Sequence, residues 1–306
     1  MTTTIKWLIA HEPVHLFVRT AQYFADELRR ESGGRFDVEI LTVDDYKTKY
    51  CNDEFDVLND LFDHVEAGKI DMTQTTVSRY GRINSNFFAL DLPFLFDSHE
   101  HATRVYEGPI GKALCEGLSD NSNMQGLAFT YSGGWRIMGS AEEINSIADF
   151  AGKPVRCNDN PVTYLTLKGF GAAPMPEKEV GSVYDHVRDG IYATESTYIR
   201  FKGTHVFKSS HSLFMTTIVM SKEIWGTLSA ADQEMIHAIT QRVAKVERQW
   251  SVDDAAEFEK NCVENGVTIT YISPEDDAEL RRRAERVYEE SAEWFHPDIV
   301  TKIKQA

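Results

Sequence analysis

The chain has 306 residues, 42% of them hydrophobic, and its 48 acidic and 32 basic side chains leave a formal net charge of −16. A chain of this length is expected to form about two domains, each able to bury a core without metal or disulfide staples. No apolar run approaches the roughly 18 residues that a membrane-spanning helix needs. The negative field repels phosphate backbones and anionic membranes, which argues against nucleic acid as a partner.

In the first part of the chain, strand and helix patterns alternate. Apolar runs predict strands at residues 5–10, 36–42 and 70–76. Between them, apolar residues at helical spacing predict one helix from Leu16 to Gly33 and another from Phe55 to Gly68. This β-α-β-α-β order predicts an open α/β sheet, in which ligand sites lie beyond the carboxyl ends of the strands.

A second, smaller α/β unit is predicted to begin near Tyr131, with strands at 135–138 and 153–156 and helices at about 161–168 and 182–188. The apolar run 213–221 is expected to return to the first sheet, which makes both lobes discontinuous and creates a hinge between them. We expect lobe I to comprise 1–130 with about 213–250, and lobe II 131–212 with about 251–306. The capping pattern at Ser229 predicts a single helix to about residue 264, roughly 50 Å long, that braces both lobes.

Four cysteines, Cys51, Cys115, Cys157 and Cys262, lack the CxxC spacing of a zinc site. They are expected either to form disulfides, for which three pairings exist, or to remain buried thiols. We predict neither a metal nor a cofactor. The first residues lead directly into an apolar run without a visible secretion signal, so the protein is either cytoplasmic or loses a signal before it matures.

Two arginines stand out because each ends a short apolar run. Arg136 follows Trp135 in one predicted strand, and Arg156 closes the strand Lys153 to Arg156. A guanidinium is permanently charged and presents a planar fork of donors, so two of them at strand ends are suited to clamp a small anion. We expect both guanidiniums to face one cleft, where they capture the anion by local geometry.

Several segments, taken in order, resemble the extracytoplasmic solute-binding subunits of TRAP (tripartite ATP-independent periplasmic) transporters. The resemblance covers nearly the whole chain. Its specificity comes from the order of the segments, since the short motif Pro93-Phe-Leu-Phe96 alone would be weak. The matching segments are Gly68-Lys-Ile-Asp71, Ala89-Leu-Asp-Leu-Pro-Phe-Leu-Phe96, Ser98-His-Glu-His-Ala102, Glu107-Gly108, Ile144 to Arg156, Gly171-Ala-Ala-Pro-Met-Pro176 and Val183-Tyr184.

The resemblance implies a two-lobed periplasmic-binding-protein-like fold that closes on an organic anion and delivers it to membrane permease subunits. It implies a periplasmic location. The carboxylate-clamping arginine of the family falls on Arg156, and its frequent second arginine on Arg136. Similarity to sialic-acid binders in the family places further wall positions at Ala10, His11, Thr75, Thr76, Arg79, Asp159, Thr197 and His211.

Departures from the family pattern bear on the ligand. Many members carry an asparagine contact where this chain has Glu195-Ser-Thr197, so that contact is expected to pass to Thr197 or Glu195. Asp159 stands where the sialic-acid binders have asparagine. A carboxylate there repels a second anionic group and accepts hydrogen bonds from hydroxyls. We therefore expect a hydroxylated monocarboxylate, such as a sugar acid, rather than a four-carbon dianion.

For the other candidate ligand-binding residues, two interpretations remain open. Trp135 is expected either to stack on the ligand or to pack in the core, and strand alternation points it away from the face of Arg136. His11, after the first strand, either donates to the ligand or is solvated, and His211 has a similar standing. The sequence has no phosphate loop, GxSxG or HExxH motif, so we predict no enzyme. The alternative function is a two-lobed organic-anion receptor of another transport or sensing system.

Overall fold

The computed structural model describes residues 2–10, 14–176, 179, 191–194 and 204–306. The chain forms two compact units, each assembled from three separate segments. This division differs from the expected one in Val77–Val105, which belongs to unit 2 rather than to the first lobe. Unit 1 comprises Met1–Thr76, Tyr106–Ser132 and Met215–Trp250, and unit 2 comprises Val77–Val105, Gly133–Phe214 and Ser251–Ala306.

Unit 1 contains a mixed sheet. Strands β1 (Thr3–Ile9), β2 (Phe36–Leu41) and β3 (Met72–Thr76) run parallel to one another. The long strand β4 (Met124–Ser140) contributes its first part, and β9 (Leu213–Ser221) pairs antiparallel with β3. The strand order is β2-β1-β3-β9-β4. The expected return of the 213–221 run to the first sheet is confirmed.

The core of unit 1 lies between this sheet and two helices. The apolar stripe of helix Val14–Glu31, including Phe17 and Phe24, is buried, and the Phe24 ring lies 5.1 Å from that of Trp7 in β1. Burial on this scale supplies most of the stability of a helix, since isolated helices are marginal in water. Ile239 of the helix Ala230–Ala256 belongs to the same buried cluster.

The predicted long helix is divided. The helix Ala230–Ala256 has 27 residues, or about 40 Å at 1.5 Å per residue, and a separate helix, Phe258–Glu264, follows after Glu257. Neither glycine nor proline marks the division, which is why the sequence pattern predicts one continuous helix. The predicted helix from Phe55 is also shorter, because residues 57–60 form turns before Leu61–Glu66.

The remaining helices have the following bounds: Val43–Tyr50, His99–Glu107, Pro109–Asn121, Pro161–Gly169, Lys222–Trp225, Pro274–Ser291 and Pro297–Lys304, with 3₁₀ helices at Val77–Arg82, Ser85–Asp91 and Ile147–Phe150.

Unit 2 has its own sheet. The second part of β4 pairs antiparallel with β7 (Ile191–Thr194) and with β8 (His205–Lys208). β5 (Pro154–Cys157) lies between β7 and β6 (Ala173–Pro176), parallel to both, and β10 (Thr268–Tyr271) is parallel to β8. One core cluster fills the space beside the sheet; it includes Met138, Val155, Cys157, Leu167, Phe170, Phe207 and Leu280.

Among the described residues, none of the helices combines the length and the apolar composition that crossing a bilayer requires. All four cysteines lie in the described part of the chain, and none of them forms a disulfide bond. The thiols of Cys115 and Cys262 have pKa values raised by burial, to about 12 and about 11.

Candidate ligand-binding site

Arg156 lies at the penultimate position of β5 and is half-buried. Its neighbours Val155 and Cys157 are both buried in the core of unit 2. Because side chains alternate along a strand, Arg156 leaves the opposite face of the sheet. Asp159 follows two residues after the end of β5 and is exposed. Arg156 and Asp159 therefore lie together at the carboxyl end of a parallel strand, where ligand sites of α/β sheets form.

Strand pairing relates Arg136 to this end of β5. Arg136 in β4 is level with Thr194, the last residue of β7, whereas Arg156 is level with Ile191, the first. Arg136 thus lies about 10 Å beyond Arg156 in the direction of the carboxyl end of β5. Thr194 and Ile191 are three positions apart, so their partners leave opposite faces of the sheet. The register thus separates the two strand positions, and the expectation that both guanidiniums face one cleft stays a prediction.

The side chain of Arg136 is only 3% exposed. Its guanidinium carbon lies 3.7 Å from the centroid of the Phe214 ring, a cation–π contact, and its backbone N–H donates to Ser212 O at 2.8 Å. Its positive charge acts on two further buried groups, Asp91 and His211. Arg136 is thus part of a buried polar cluster in unit 2, and its contact with a ligand stays a prediction.

Asp91 supplies a carboxylate to this buried cluster. It is 5% exposed, and its Oδ2 accepts a hydrogen bond of 2.6 Å from Nδ2 of Asn160. Burial raises the pKa of Asp91 to about 6, and the charge of Arg136 and the hydrogen bond from Asn160 oppose that rise. At neutral pH the carboxylate is therefore ionised and offsets much of the charge of Arg136.

His211 is fully buried. Its Nδ1 is 2.8 Å from Oγ of Ser209, and its ring packs edge-on against Phe170 and Phe94, with centroids 5.0 and 6.4 Å away. Burial, with a contribution from Arg136, lowers the pKa of His211 to about 3. The imidazole is neutral at any physiological pH, and its predicted contact with a ligand is not tested by this geometry.

Trp135 directly precedes Arg136 in β4, so strand alternation directs the two side chains to opposite sides of the strand. It is half-exposed and lines a cavity of about 360 Å³ together with Phe94, Ser210 and Arg281. Its ring centroid is 5.7 Å from that of His99. Trp135 therefore contacts a concave surface of unit 2, and stacking on a ligand remains a prediction.

The remaining predicted wall positions lie apart in the sequence. Thr75 and Thr76 end β3 in unit 1, where both are buried opposite Thr217 and Thr216 of β9. Ala10, after β1, is also buried in unit 1. Arg79 lies in the 3₁₀ helix Val77–Arg82 of unit 2 and is half-buried. The predicted contacts His11, Glu195 and Thr197 lie outside the described residues, as do Val183, Tyr184 and the predicted helix at 182–188.

Sequence reasoning missed Asp91 and Asn160. The pair Asn160-Pro161 carries a local signal, because asparagine is a preferred N-cap and proline a preferred first helical residue. Asp91 has no such signal, since the segment around it suggests only apolar packing. No group of three or more His, Cys, Asp or Glu side chains in the described part of the chain could hold a metal ion.

The whole chain is similar to proteins of known role. Over 257 residues, 80% of this chain and 72% of the relative, it is 28% identical to a solute-binding protein of Verminephrobacter eiseniae. Over 310 residues, 98% of this chain and 92% of the relative, it is 24% identical to the sialic acid-binding periplasmic protein SiaP of Vibrio cholerae.

Solved structures share the fold. A TRAP periplasmic solute-binding protein of Shewanella oneidensis with bound succinate has a TM-score of 0.86 at 17% identity, covering 100% of this chain and 99% of its own. One from Pseudomonas putida F1 with bound D-glucuronate has a TM-score of 0.85 at 18% identity, covering 99% and 97%. Residues 9–294 match the DctP family, described as bacterial extracellular solute-binding protein, family 7. The chain belongs to this family of TRAP-transporter solute-binding proteins.

Proposed function

We propose that the protein is the solute-binding subunit of a TRAP transporter that captures a hydroxylated monocarboxylate, such as a sugar acid, in a cleft between its lobes. It delivers the acid, chemically unchanged, to membrane permease subunits from the periplasm. The observation that carries the proposal is the place of Arg156, a half-buried guanidinium at the carboxyl end of β5. Such a fork binds a carboxylate with two parallel hydrogen bonds.

Relatives of the family support an acid as ligand. They include a sialic acid-binding, a C4-dicarboxylate-binding and a 2,3-diketo-L-gulonate-binding protein. Structures with the same fold carry D-glucuronate, β-D-galacturonate or succinate. These ligands share a carboxylate and differ in the number of charges and hydroxyl groups, so the residues of this chain must decide between them.

Two carboxylates favour a single negative charge on the ligand. Asp159 is exposed close to Arg156 in the sequence, at the same end of β5. Asp91 offsets the charge of Arg136 in the buried cluster. A second carboxylate on the ligand would therefore meet repulsion from Asp159, whereas a hydroxyl would find an acceptor.

The first experiment identifies the ligand. A thermal-shift panel of sugar acids, hydroxy acids, keto acids, aromatic acids, sulfonates and dicarboxylates is run on the full chain, because a ligand that binds only the folded state raises the melting temperature. Recovery of unchanged ligand by mass spectrometry separates a binding protein from an enzyme. Uptake in vesicles containing candidate permease subunits then tests delivery.

Calorimetry with the strongest ligand of the panel tests the role of Arg156. Arg156→Ala is expected to weaken binding by about a hundredfold or more, because it removes a charge-assisted contact from a partly desolvated site. Arg156→Lys should recover little, since an ammonium lacks the planar fork. Arg282→Ala is the matched control, because that side chain is 69% exposed and pairs with Glu279 in the same unit. A loss below fivefold for Arg156→Ala would contradict the proposal.

A further inference from the structure

We propose that Asp91 is a positioning residue for the anion site: its hydrogen bond to Asn160 fixes the loop between β5 and the helix Pro161–Gly169. That loop joins Arg156 to the helix and contains Asp159. The hydrogen bonds of this arrangement are all within unit 2 and are observed directly. Its consequence for binding rests on the proposed function, and the two are tested separately.

Asn160 is the centre of the arrangement. It is 3% exposed and is the N-cap of the helix, where its Oδ1 accepts from Val162 N–H at 2.8 Å. Its backbone N–H donates to Asn158 O at 2.8 Å, and its carbonyl accepts from Tyr164 N–H at 2.9 Å. One residue thus holds both the loop behind it and the first helical turn ahead of it.

The orientation of this amide group depends on Asp91. Nδ2 of Asn160 donates to Oδ2 of Asp91 at 2.6 Å, which leaves Oδ1 directed at Val162 N–H. A hydrogen bond to an ionised acceptor is stronger than a neutral one, and a buried amide that loses its acceptor is costly. Without Asp91, the amide and the loop lose the contact that selects this arrangement.

Asp91 can position Asn160 because the segment that contains Asp91 is itself anchored. It ends the 3₁₀ helix Ser85–Asp91, in which Phe87 and Leu90 are buried. Three residues later, Phe94 has φ of 57°, in the left-handed region, and its N–H donates to His211 O at 2.6 Å. Such a conformation in a bulky residue persists only where the surroundings over-determine it. The segment 85–94 is therefore anchored at His211, a predicted site position, and at Asn160, the residue after the predicted position Asp159.

Amide hydrogen exchange on the full chain without ligand tests the arrangement. At pH 7.5, Asp91→Ala is expected to raise the exchange rate of peptides covering 158–166 by about five- to tenfold, as in local opening of a poorly anchored segment. Asp91→Asn keeps one carbonyl acceptor for Asn160 and should stay within about twofold of wild type. Asp71→Ala is the matched control, since Asp71 is a buried aspartate of unit 1 that accepts from Lys6 N–H at 2.8 Å.

Binding of D-glucuronate and of succinate, measured by calorimetry on the same variants, gives the second readout. Asp91→Ala is expected to weaken the binding of whichever probe binds by about tenfold, and Asp91→Asn by less than threefold. If D-glucuronate does not bind the wild type, the proposed sugar-acid function is contradicted, while the exchange data still decide the role of Asp91.

The outcomes separate positioning from general stability. Unchanged exchange at 158–166 in Asp91→Ala overturns the inference, even if the melting temperature falls. Equal effects of Asp91→Ala and Asp91→Asn also overturn it, because the charge beside Arg136 would then matter rather than the hydrogen bond. Should Asp91→Ala fail to fold, Asn160→Ser removes the same hydrogen bond from the other partner and keeps a capping oxygen. It is expected to show the same exchange increase.

Discussion

Two arginines with the same sequence signal have different environments. Arg136 is 3% exposed beside Phe214 and acts on Asp91, whereas Arg156 is half-buried at the end of β5. A strand-end arginine is recognisable from sequence, but the face it leaves depends on the register with neighbouring strands, which no local pattern encodes. This is why the sequence predicts both residues as candidates and does not separate the half-buried Arg156 from the fully packed Arg136.

A second buried acid lies in unit 1. Glu247, in the helix Ala230–Ala256, is 0% exposed, and its Oε1 accepts from Nε2 of Gln74 at 2.6 Å. The same nitrogen lies 2.8 Å from Thr130 Oγ1 and 2.9 Å from Thr216 Oγ1. Burial raises the pKa of Glu247 to about 8, although hydrogen bonds and the charge of the neighbouring Arg248 oppose the rise.

This pKa shift predicts that stability falls as the pH rises from about 4.5 to about 8. The folded chain keeps a proton on Glu247 that the unfolded chain releases near its ordinary pKa of 4.5. The corresponding stability is therefore fully present below that pH and is lost as pH rises through about 8. The pKa values of Asp91 and His211 are about 6 and about 3. Between pH 6.5 and 8, Glu247 therefore contributes more than either of them to the change of stability with pH.

Glu247→Gln is expected to remove this dependence of the unfolding free energy on pH. Wild type should lose about 2 kcal/mol of unfolding free energy between pH 6 and pH 8 relative to the variant, which stays neutral throughout. Urea unfolding at several pH values measures the difference. Glu234→Gln, an exposed position of the same helix, is the control and should leave the slope unchanged. If the unfolding free energies of wild type and Glu247→Gln change with pH in parallel, the raised pKa of Glu247 is contradicted.

At the scale of elements, a long periodic pattern in the sequence predicts the position of a helix or strand well. No comparable pattern predicts where the chain reverses direction. The amphipathic helix Val14–Glu31 and the apolar strand β9 match their predicted positions, because burial of one face fixes both the pattern and the element. The segment 77–105 joins unit 2, contrary to prediction, because Asp91 and Phe94 bond to Asn160 and His211, which are distant in sequence. Such long-range contacts leave no periodic signal.

Helix ends give a testable case at this scale. The helix Val43–Tyr50 begins with a capping box: Thr42 Oγ1 accepts from Asp45 N–H at 3.1 Å, and Asp45 Oδ2 accepts from Thr42 N–H at 3.1 Å. These reciprocal bonds satisfy two backbone N–H groups, those of Asp45 and Thr42, that an uncapped helix leaves to water. The Thr42 hydroxyl, which donates to Asp45 Oδ2 at 2.6 Å, and then the Thr42 N–H lower the pKa of Asp45.

Thr42→Ala should cost about 1 kcal/mol of unfolding free energy, whereas Thr42→Ser should cost only a few tenths, because serine keeps the capping oxygen. Thr48→Ala is the control inside the same helix. It removes only an exposed hydrogen bond to Asp53 and should change the unfolding free energy by less than about 0.5 kcal/mol. Urea unfolding followed by circular dichroism measures all three variants. An equal cost for Thr42→Ala and Thr48→Ala would show that the cap contributes nothing.

At the scale of the whole molecule, the charge opposes the proposed ligand. The net charge of −16 repels an approaching acid, although a guanidinium at the end of β5 attracts it at close range. Dense charged surfaces such as the helix Pro274–Ser291, with pairs like Arg282 to Glu279, contribute to solubility rather than to capture. Long-range repulsion is screened within about one Debye length, whereas contacts in a partly buried site are screened far less.

Salt should therefore speed association of the ligand. Raising ionic strength from about 20 to about 200 mM is expected to increase the association rate constant of a monocarboxylate by roughly threefold, and that of a dicarboxylate by more, since screening removes part of the repulsion. Stopped-flow tryptophan fluorescence measures the rate, and Arg282→Glu, which changes the net charge by two units far from β5 in the sequence, should increase the salt dependence. A rate that falls with salt would mean that the local positive charge around Arg156 dominates the field already at a distance, and that the acidic surface has no part in selecting the ligand.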